Sequence, residues 1–598
     1  MTKTEKTLLF LIILIGLLLR FYNLTFQSLW LDELHTMIET DPKISFKELL
    51  NYLSCCDLHP PLFFFLERLS FSIFGHSEWI ARSLTAIAGT TSIWAIFLLG
   101  RELYNTKTGL TVAAFTCVNY YSIYYSQEAR GYILAFLFAS LSFLYLVRLV
   151  KNLNRKNTLL FSLFTLLMMF THYYGIFVTI AEAFILMSFW LLEKEKKSLL
   201  FKHILGSFIL IGLIYASWTP YIMDMKLIKS FWITNVSSNF ATDYFFEYFG
   251  NSDLLKPSLY LFLMGFFVQL FSIKGNLKEQ PFFFGFFILV AWIFITYLIP
   301  YLRSIFVIPM LHPRYTIVVL PAILLIIASG VQNIQNQVIR NMLIGVFIFI
   351  SLLDIISLKK YYSQPNKTQF REITAYIANH NELKLPIINP KTAWHFQYYA
   401  KSNKIENQLL GENTDHLIDS FIQSKVTKGF WLVGSHNNPP KLTEEQQKSI
   451  SSNYIQTIDL NYFDSWLQQY ISTNSLSDKY SAVFFHPSLS FNIDKQDFVV
   501  LWGSKMASEV LTLKKGKYSL KLFSKGTSVN GEYPKINILV NQKKLAEYIP
   551  KPQIEQVDFT FETDGSPTHF VFEMTNDFTA QGEDRNFFIQ KAFVLRLD

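Results

Sequence analysis

The sequence contains few charged residues for its length. Of its 598 residues, only 16% are charged and 51% are hydrophobic, including 58 phenylalanines. One soluble core cannot bury so much apolar surface, which excludes a soluble globular protein. The apolar residues are concentrated before about residue 360, and the rest of the chain is polar. This shift predicts a polytopic α-helical membrane domain followed by a soluble part.

Cysteine is also scarce. Cys55 and Cys56 are adjacent, and Cys117 lies inside a predicted span, so the three provide neither a zinc spacing nor a disulfide framework. The net charge of +8 does not indicate nucleic acid, because Lys and Arg accumulate in the cytoplasmic loops of membrane proteins. We therefore expect a lipid bilayer as partner and no nucleic acid.

Hydropathy predicts about eleven membrane spans. The first, 7–24, lacks a small-residue cleavage site and is predicted to be an uncleaved anchor. The segment 59–75 is of marginal length and has Glu67 and Arg68 in its middle, which favours an interfacial or re-entrant helix; if it crosses, the soluble part changes compartment. The other predicted spans are 83–100, 109–125, 132–150, 159–170, 174–192, 199–218, 257–271, 281–299, 315–331 and 342–357.

Charge sets the predicted orientation. If the loop that contains Asp32 lies outside, the basic loops fall inside, in agreement with the positive-inside rule. These loops contain Arg101, residues 151–156, 193–197 and 274–278, and Arg340. The sequence therefore predicts an extracytoplasmic soluble part, and unusual polar residues gathered on the outer face.

Several short segments of the first 330 residues stand in a recognisable order. In chain order they are Trp30-x-Asp32-Glu33, His59-Pro60-Pro61-Leu62, Phe74-Gly75-x-Ser77-Glu78-x-x-x-Arg82, Leu99-Gly100-Arg101, Tyr125-Ser126-Gln127-Glu128-Ala129-Arg130-x-Tyr132 and Arg314-Tyr315. The ordered set resembles integral-membrane glycosyltransferases of the GT-C class. Within that class it is similar to the dolichyl-phosphate-mannose protein mannosyltransferases of family 39 and to the bacterial aminoarabinose transferases.

The resemblance implies that a sugar passes from a polyprenyl-phosphate-linked donor to a glycan, lipid or protein acceptor, with inversion, on the outer face. Asp32 is the candidate general base. Glu33 orients that carboxylate, holds a metal or caps a helix, and the sequence leaves these roles open. Glu128 belongs to a second outer loop and is expected to converge on the same cavity, unless it forms a salt bridge with Arg130.

The donor phosphate needs cations that neutralise its developing charge. The candidates, in order, are Arg314, Arg130 and Arg303, and the alternative for each is an interfacial arginine that reaches lipid headgroups. His59, His172 and Tyr315 are candidate contacts to the donor or the acceptor, although a histidine at the rim is more often structural. The sequence leaves open whether a divalent metal binds at the acidic pair, Asp32 and Glu33.

We predict three domains: a transmembrane glycosyltransferase-like domain at 1–361, an α/β domain at 362–485 and a β-sandwich at 486–598. In the second, 370–379 has helical periodicity, and 385–388 and 430–433 are predicted strands. In the third, alternation predicts strands at 510–513, 518–522, 536–540, 557–561 and 570–573.

The end of the chain resembles calcium-dependent xylan-binding carbohydrate-binding modules. The similar residues are Thr575-Asn576-Asp577-Phe578 and Gly582-Glu583-Asp584-Arg585-Asn586. The resemblance implies a calcium site with Asp577 and Asp584 as ligands. A plain sandwich with a solvated acidic turn is the alternative.

Two further functions remain open. One is an oligosaccharide transferase of the same class, and the other is a non-catalytic membrane protein that binds or transports glycans. A transporter is expected to show paired half-repeats with charges at mid-membrane depth, whereas the charges here cluster at one rim. The carbohydrate-binding-like tail favours a bacterial inner or plasma membrane protein.

Overall fold

The computed structural model describes most of the chain. The described residues are 1–55, 57, 59–224, 233, 236–271, 281–381, 384–388, 394–410, 428–435, 450, 454–472, 480–483, 485, 490–493, 496–501, 503, 505–580 and 583–597. The chain divides into two compact units, Met1–Lys367 and Thr368–Asp598. The predicted boundary at 361/362 therefore lies a few residues before the boundary between the units.

The first unit is helical. Asn or Ser side chains cap the starts of several helices by accepting backbone N–H groups, as Ser77, Asn105 and Asn154 do. The helices are α1 Lys3–Phe21, α2 Leu31–Glu39, α3 Phe46–Cys55, α4 Leu62–Phe74, α5 Glu78–Leu103, α6 Thr106–Val118, α7 Tyr120–Ser126, α8 Tyr132–Lys151, α9 Arg155–Thr171, α10 Gly175–Leu192, α11 Lys197–Tyr215, α12 Thr219–Asp224, α13 Phe240–Tyr248, α14 Pro257–Phe271, α15 Pro281–Phe306, α16 Leu320–Gln332 and α17 Gln337–Leu353. Short 3₁₀ segments lie at Ala216–Trp218, Asp253–Leu255 and Tyr315–Val319, and a π-helical turn at Asp354–Leu358.

Eight helical segments of the described residues are long and apolar enough to cross a membrane, which confirms the polytopic fold. They are Glu78–Leu103, Tyr132–Lys151, Gly175–Leu192, Lys197–Met223, Asp253–Phe271, Phe284–Phe306, Tyr315–Gln332 and Gln337–Leu358. Protein covers 94% of the apolar window of Tyr315–Gln332 but only 22% of that of Gln337–Leu358. The former is therefore central in the bundle, and the latter offers its apolar side chains to lipid.

The predicted span 109–125 is two helices. Asn119 ends α6 and begins α7, because its side chain accepts the N–H of Ser122 at 2.9 Å. The break frees carbonyls at the end of α6. Arg20 of α1, which is fully buried, donates to the carbonyls of Thr116 and Cys117 at 3.1 and 3.2 Å.

Two other predicted spans fall short of a clear membrane span. Helix α1 carries Lys3, Glu5, Lys6 and Arg20, and α9 has only 17 residues. The count of about eleven spans stays a prediction. Helix α4, in the segment predicted not to cross, has 13 residues and spans about 20 Å, less than the roughly 30 Å hydrocarbon core. Cys55 is disulfide-bonded, contrary to the sequence expectation, and Cys56 lies outside the described residues.

Helices α14 and α16 meet through two glycines. A Cβ atom added to Gly330 would lie 2.2 Å from the Cα of Gly265, and one added to Gly265 would lie 2.4 Å from the carbonyl oxygen of Ile326. Small residues allow such backbone contact between membrane helices, where van der Waals packing drives association. The crossing therefore depends on the absence of both side chains.

The second unit is rich in strands. It begins with α18 Phe370–His380 and α19 Trp394–Ser402, beside a five-stranded sheet. The predicted helix at 370–379 and strands at 385–388 and 430–433 are present. The strands of this sheet are β1 Ile387–Ile388, β2 Leu409–Leu410, β3 Gly429–Ser435, β4 Tyr454–Tyr462 and β5 Ser465–Ser472. Their order in the sheet is β2-β1-β3-β5-β4.

Two further sheets share one hydrophobic core and form a β-sandwich. Buried side chains from both sheets, such as Leu520 and Phe572, belong to that core. The strands of these two sheets are β6 Tyr480–Ala482, β7 Ser490–Ile493, β8 Gln496–Leu501, β9 Lys505–Ala507, β10 Gly516–Gly526, β11 Ile536–Val540, β12 Lys543–Tyr548, β13 Glu555–Thr563, β14 Phe570–Met574 and β17 Phe587–Arg596. One sheet has the order β13-β10-β17-β8-β7 with β6 beside β17, and the other has the order β12-β11-β14-β9. The short strands β15 Thr579–Ala580 and β16 Glu583–Asp584 pair with each other as a separate two-stranded sheet.

Most of the predicted sandwich strands are present, but the strand predicted at 510–513 is wrong. There, Leu511 forms only an isolated bridge with Thr568. Val510 is exposed, but Leu513 is buried in the sandwich core and Leu511 packs against that core, so the alternation marks an inward-facing segment that lacks the hydrogen-bonded ladder of a strand.

Candidate active site

The acidic pair lies in the first turn of α2. Carboxylates are favoured there because the backbone N–H groups of a helix start point toward them. Successive helical residues project about 100° apart, so the two side chains diverge. The side chain of Asp32 is 18% exposed, and that of Glu33 is 0% exposed. Of the two carboxylates, Asp32 is therefore the one that a substrate can reach.

Asp32 forms an ion pair with Arg314, with 2.9 Å between Oδ2 and Nη1. The rings of Trp30, Tyr132 and Tyr315 have centroids 5.4, 5.9 and 5.5 Å from the guanidinium carbon. Burial alone would lower the pKa of Arg314, but Tyr132 and Asp32 outweigh it and raise the pKa. A permanent cation is thus held against the reachable carboxylate inside an aromatic enclosure.

Glu33 is buried in ion pairs. Arg82 donates to both carboxylate oxygens at 2.7 Å, and the Lys367 ammonium lies 3.1 Å from Oε2. Burial alone would raise the pKa of Glu33, but the charges of Arg82 and Lys367 lower it to about 2. Glu33 is therefore ionised and fully engaged by cations.

Glu128 is brought to the same buried cluster. Its Oε2 lies 3.2 Å from Lys367 Nζ, so the alternative of a salt bridge with Arg130 is wrong. The two groups are not aligned for a hydrogen bond, and within the described residues the Glu128 oxygens accept none. Burial raises the pKa of Glu128, and Lys367 opposes that rise.

Arg130 pairs with Asp57, a residue that the sequence analysis missed. The guanidinium donates to both Asp57 oxygens at 2.8 Å and to the Asp32 carbonyl oxygen at 3.2 Å. Burial alone would raise the pKa of Asp57, but Arg130 and His59 hold it well below its usual range. The position of Asp57, two residues before the quoted His59-Pro60 segment, was the available signal.

The predicted histidines adjoin the site. The ring of His172 lies 5.6 Å from that of His59 and 5.0 Å from that of Tyr315. Burial holds the pKa of His172 well below its usual range, so its imidazole is neutral. Arg303 is exposed, with Nη1 3.2 Å from Met310 Sδ, and no described contact joins it to Asp32 or Arg314.

The acidic pair does not suit a divalent metal. Both carboxylates face cationic side chains, with Arg314 on Asp32 and with Arg82 and Lys367 on Glu33. Among the residues that the structure describes, no group of three His, Cys, Asp or Glu side chains is placed to hold an ion.

The two acidic residues proposed for calcium lie in the last part of the chain. Asp577 is exposed, and Asp584 Oδ1 accepts a hydrogen bond from the Thr579 hydroxyl at 2.6 Å. The calcium site and the resemblance to a carbohydrate-binding module stay predictions.

Residues 58–222 match the family model described as dolichyl-phosphate-mannose-protein mannosyltransferase. The match confirms the predicted resemblance in that part of the chain, which contains Glu128 and Arg130 but neither Asp32 nor Arg314. No curated protein matches the chain.

Solved structures also show similarity. ArnT from Cupriavidus metallidurans is 11% identical with a TM-score of 0.49, over 78% of this chain and 98% of that one. An oligosaccharyltransferase from Archaeoglobus fulgidus is 9% identical with a TM-score of 0.45, over 100% of this chain and 97% of that one. The arabinofuranosyltransferase AftD from Mycobacteria is 9% identical with a TM-score of 0.42, over 98% and 61%. Similarity at this level does not by itself assign an activity.

Proposed function

We propose that this protein is a membrane glycosyltransferase that transfers a sugar from a polyprenyl-phosphate-linked donor to a glycan, lipid or protein acceptor, with inversion. The ion pair of Asp32 with Arg314 carries the proposal, because it places a reachable carboxylate 2.9 Å from a largely buried cation. The mannosyltransferase family match over residues 58–222 supports the same chemistry.

Asp32 acts as the general base in this proposal. The acceptor hydroxyl or amine attacks the anomeric carbon, the bond from that carbon to the phosphate oxygen breaks, and the phosphate leaves with the electron pair. The acceptor proton passes to Asp32. Attack from the face opposite the phosphate inverts the configuration. The partly exposed position of Asp32 suits direct contact with the acceptor.

Arg314 stabilises the leaving phosphate. A guanidinium has five N–H donors, so it can bind a phosphate on one edge while it faces Asp32 on another. A buried cation stabilises developing negative charge more strongly than a solvated one. Arg130 is a weaker candidate, because its charge is already matched by the two bonds to Asp57. The rings of Trp30, Tyr132 and Tyr315 provide flat surfaces for a sugar.

The charge distribution of the sequence supports an extracytoplasmic position for the proposed site. Basic residues such as Arg101, in the last turn of α5, and Lys194, in a loop, lie at ends of the predicted spans that alternate with the loop of Asp32. A lipid-linked donor then enters from the outer leaflet.

Purified protein incubated with a radiolabelled polyprenyl-phosphate sugar tests the proposal. The unmodified chain should transfer label to an extract of cell-surface acceptors, and Asp32→Asn should lower the rate about 10²- to 10⁴-fold, the usual contribution of a general base. Asp41→Asn is the matched control, because Asp41 lies in the same loop and accepts the backbone N–H of Lys43.

Three outcomes would contradict the proposal. Full activity of the Asp32→Asn variant would remove Asp32 from the role of base. Label that crosses a vesicle membrane without a new glycosidic bond would indicate a transporter. Transfer of an assembled oligosaccharide only would show that the donor does not carry a single sugar.

A further inference from the structure

Four buried charged side chains form one network behind the acidic pair. We call Glu33, Arg82, Glu128 and Lys367 the charge network. Each side chain is at most 1% exposed. With two acids and two bases the network is formally neutral, as buried charges require.

Lys367 joins this network from the far end of the membrane unit. It lies 334 residues from Glu33 and contacts it at 3.1 Å, and its ammonium lies 5.1 Å from the ring centroid of Tyr124. The segment before it is fixed by Gln27, whose side chain donates to the Gln364 carbonyl and accepts the Asn366 N–H, both at 2.9 Å. Lys367 is therefore held in place and is not a loose surface lysine.

The two acids that Lys367 contacts belong to the two loops of the candidate active site. Glu33 follows Asp32, and Glu128 precedes Ala129 and Arg130. The same loops are joined by the Ala129 N–H, which donates to Glu33 Oε1 at 2.9 Å, and by the Thr36 hydroxyl, which donates to the Ala129 carbonyl at 2.9 Å. The Lys367 ammonium thus offsets the negative charges of Glu33 and Glu128 where the two loops meet. The position of Asp32, which precedes Glu33, depends on this contact.

We propose that Lys367 is a positioning residue of the transfer site. Its charge holds the Glu33 and Glu128 loops together and so fixes Asp32 relative to Arg314. This inference rests on the proposed function. Without Lys367, Glu128 loses its ion-pair partner while Glu33 keeps Arg82, and repulsion between the two buried carboxylates separates the loops.

The test compares Lys367→Met, Glu128→Gln and the double variant by donor-dependent transfer. We expect Lys367→Met to lower kcat about 10²-fold with little change in the donor KM, because a small misplacement of a reacting group costs about that much. The double variant leaves Glu33 paired with Arg82, so the network is neutral again. It should regain at least about tenfold in kcat over Lys367→Met, since contacting residues are energetically coupled.

Lys360→Met is the matched control, because Lys360 lies on the same segment and is exposed. Wild-type kcat in Lys367→Met, or a double variant no better than Lys367→Met, would overturn the inference. If Lys367→Met does not fold, the double variant must match Glu128→Gln within about tenfold, and a lower value overturns the inference. An inactive unmodified chain would instead refute the proposed function.

Discussion

Asp32 and Arg314 lie 282 residues apart in the sequence and form an ion pair of 2.9 Å. The carboxylate comes from the start of α2, and the guanidinium from the loop that leads into a central span. The pair lies beside the rings of Trp30, Tyr132 and Tyr315. Substitutions on either side of the pair therefore probe the same chemistry.

Arg314→Gln should lower kcat/KM for the lipid-linked donor about 10²- to 10³-fold, as loss of one preorganised charge does. Arg314→Lys should recover only part of this, because an ammonium lacks the planar fork of donors. Transfer of labelled sugar is the measurement. The control is Arg155→Gln, since Arg155 is exposed at the start of α9. Equal rates for Arg314→Gln and this control would contradict the role of Arg314.

Glu33→Gln should destabilise the protein by about 3–5 kcal/mol, because it leaves buried cations without their counter-charge. Burial opposes ionisation, yet Arg82 and Lys367 lower the pKa of Glu33 to about 2. Its stabilising contribution is therefore present above the unfolded pKa of about 4.5 and lost as the pH falls toward 2. Thermal unfolding in detergent measures both effects. Glu195→Gln, in an exposed loop, is the control, and a variant as stable as this control would refute the expectation.

Glu39→Gln, a substitution in the same helix α2, should not lower the stability of the protein as Glu33→Gln does. Burial, then the Asp57 charge, raise the pKa of Glu39 to about 10, so the folded protein holds this acid protonated at neutral pH. The folded state must take up a proton that the unfolded chain releases above about pH 4.5, and stability falls as the pH rises toward 10. A neutral amide removes that cost. We expect equal or higher stability at pH 8 and a flatter pH profile, and a loss comparable to that of Glu33→Gln would contradict this.

Gly330→Ala should lower stability by about 1–3 kcal/mol, the usual cost of overpacking. The added Cβ would lie 2.2 Å from Gly265 Cα, so α14 and α16 must move apart. Gly345→Ala is the control, because a Cβ there meets nothing within 4 Å and alanine favours a helix. Thermal unfolding of both variants is the measurement, and equal midpoints would show that the crossing tolerates a methyl group.

The orientation predicts a labelling pattern with a membrane-impermeant maleimide. Lys43→Cys and Lys543→Cys should react in intact cells, and Lys196→Cys only after permeabilisation, because the positive-inside rule places the loop of Lys196 in the cytoplasm. All three positions are exposed. The unmodified chain gives the background. Labelling of positions 43 and 543 from opposite sides would refute a shared compartment for the acidic pair and the second unit.

Sequence reasoning predicted the large divisions of this chain well. Long apolar runs such as that of α8 have few alternatives to a membrane helix, and the alternation in 536–540 matches β11. The break at Asn119 was missed, because the flanking residues are apolar on both sides. Only the cap of α7 and the contact with Arg20 reveal it.

The partners within the candidate site were less predictable. A salt bridge between Glu128 and Arg130, two residues apart, was the alternative that the sequence left open, but each residue finds a distant partner, Lys367 and Asp57. Lys367 carries no signal in the sequence, since a lysine after the last span is ordinary there. Which buried charges pair with each other depends on tertiary contacts, and these cannot be read from a single sequence.

Through the buried Arg20, the amino-terminal helix α1 also stabilises neighbouring segments of the membrane unit. Its guanidinium binds the carbonyls exposed where α6 ends, and its own carbonyl, with that of Tyr22, accepts the side-chain amide of Gln127 next to Glu128. An unrelated apolar helix in place of α1 would leave the carbonyls at the end of α6 without hydrogen-bond donors inside the membrane, where water does not replace them. The first helix is thus bound by these hydrogen bonds to α6 and to the segment that carries Glu128.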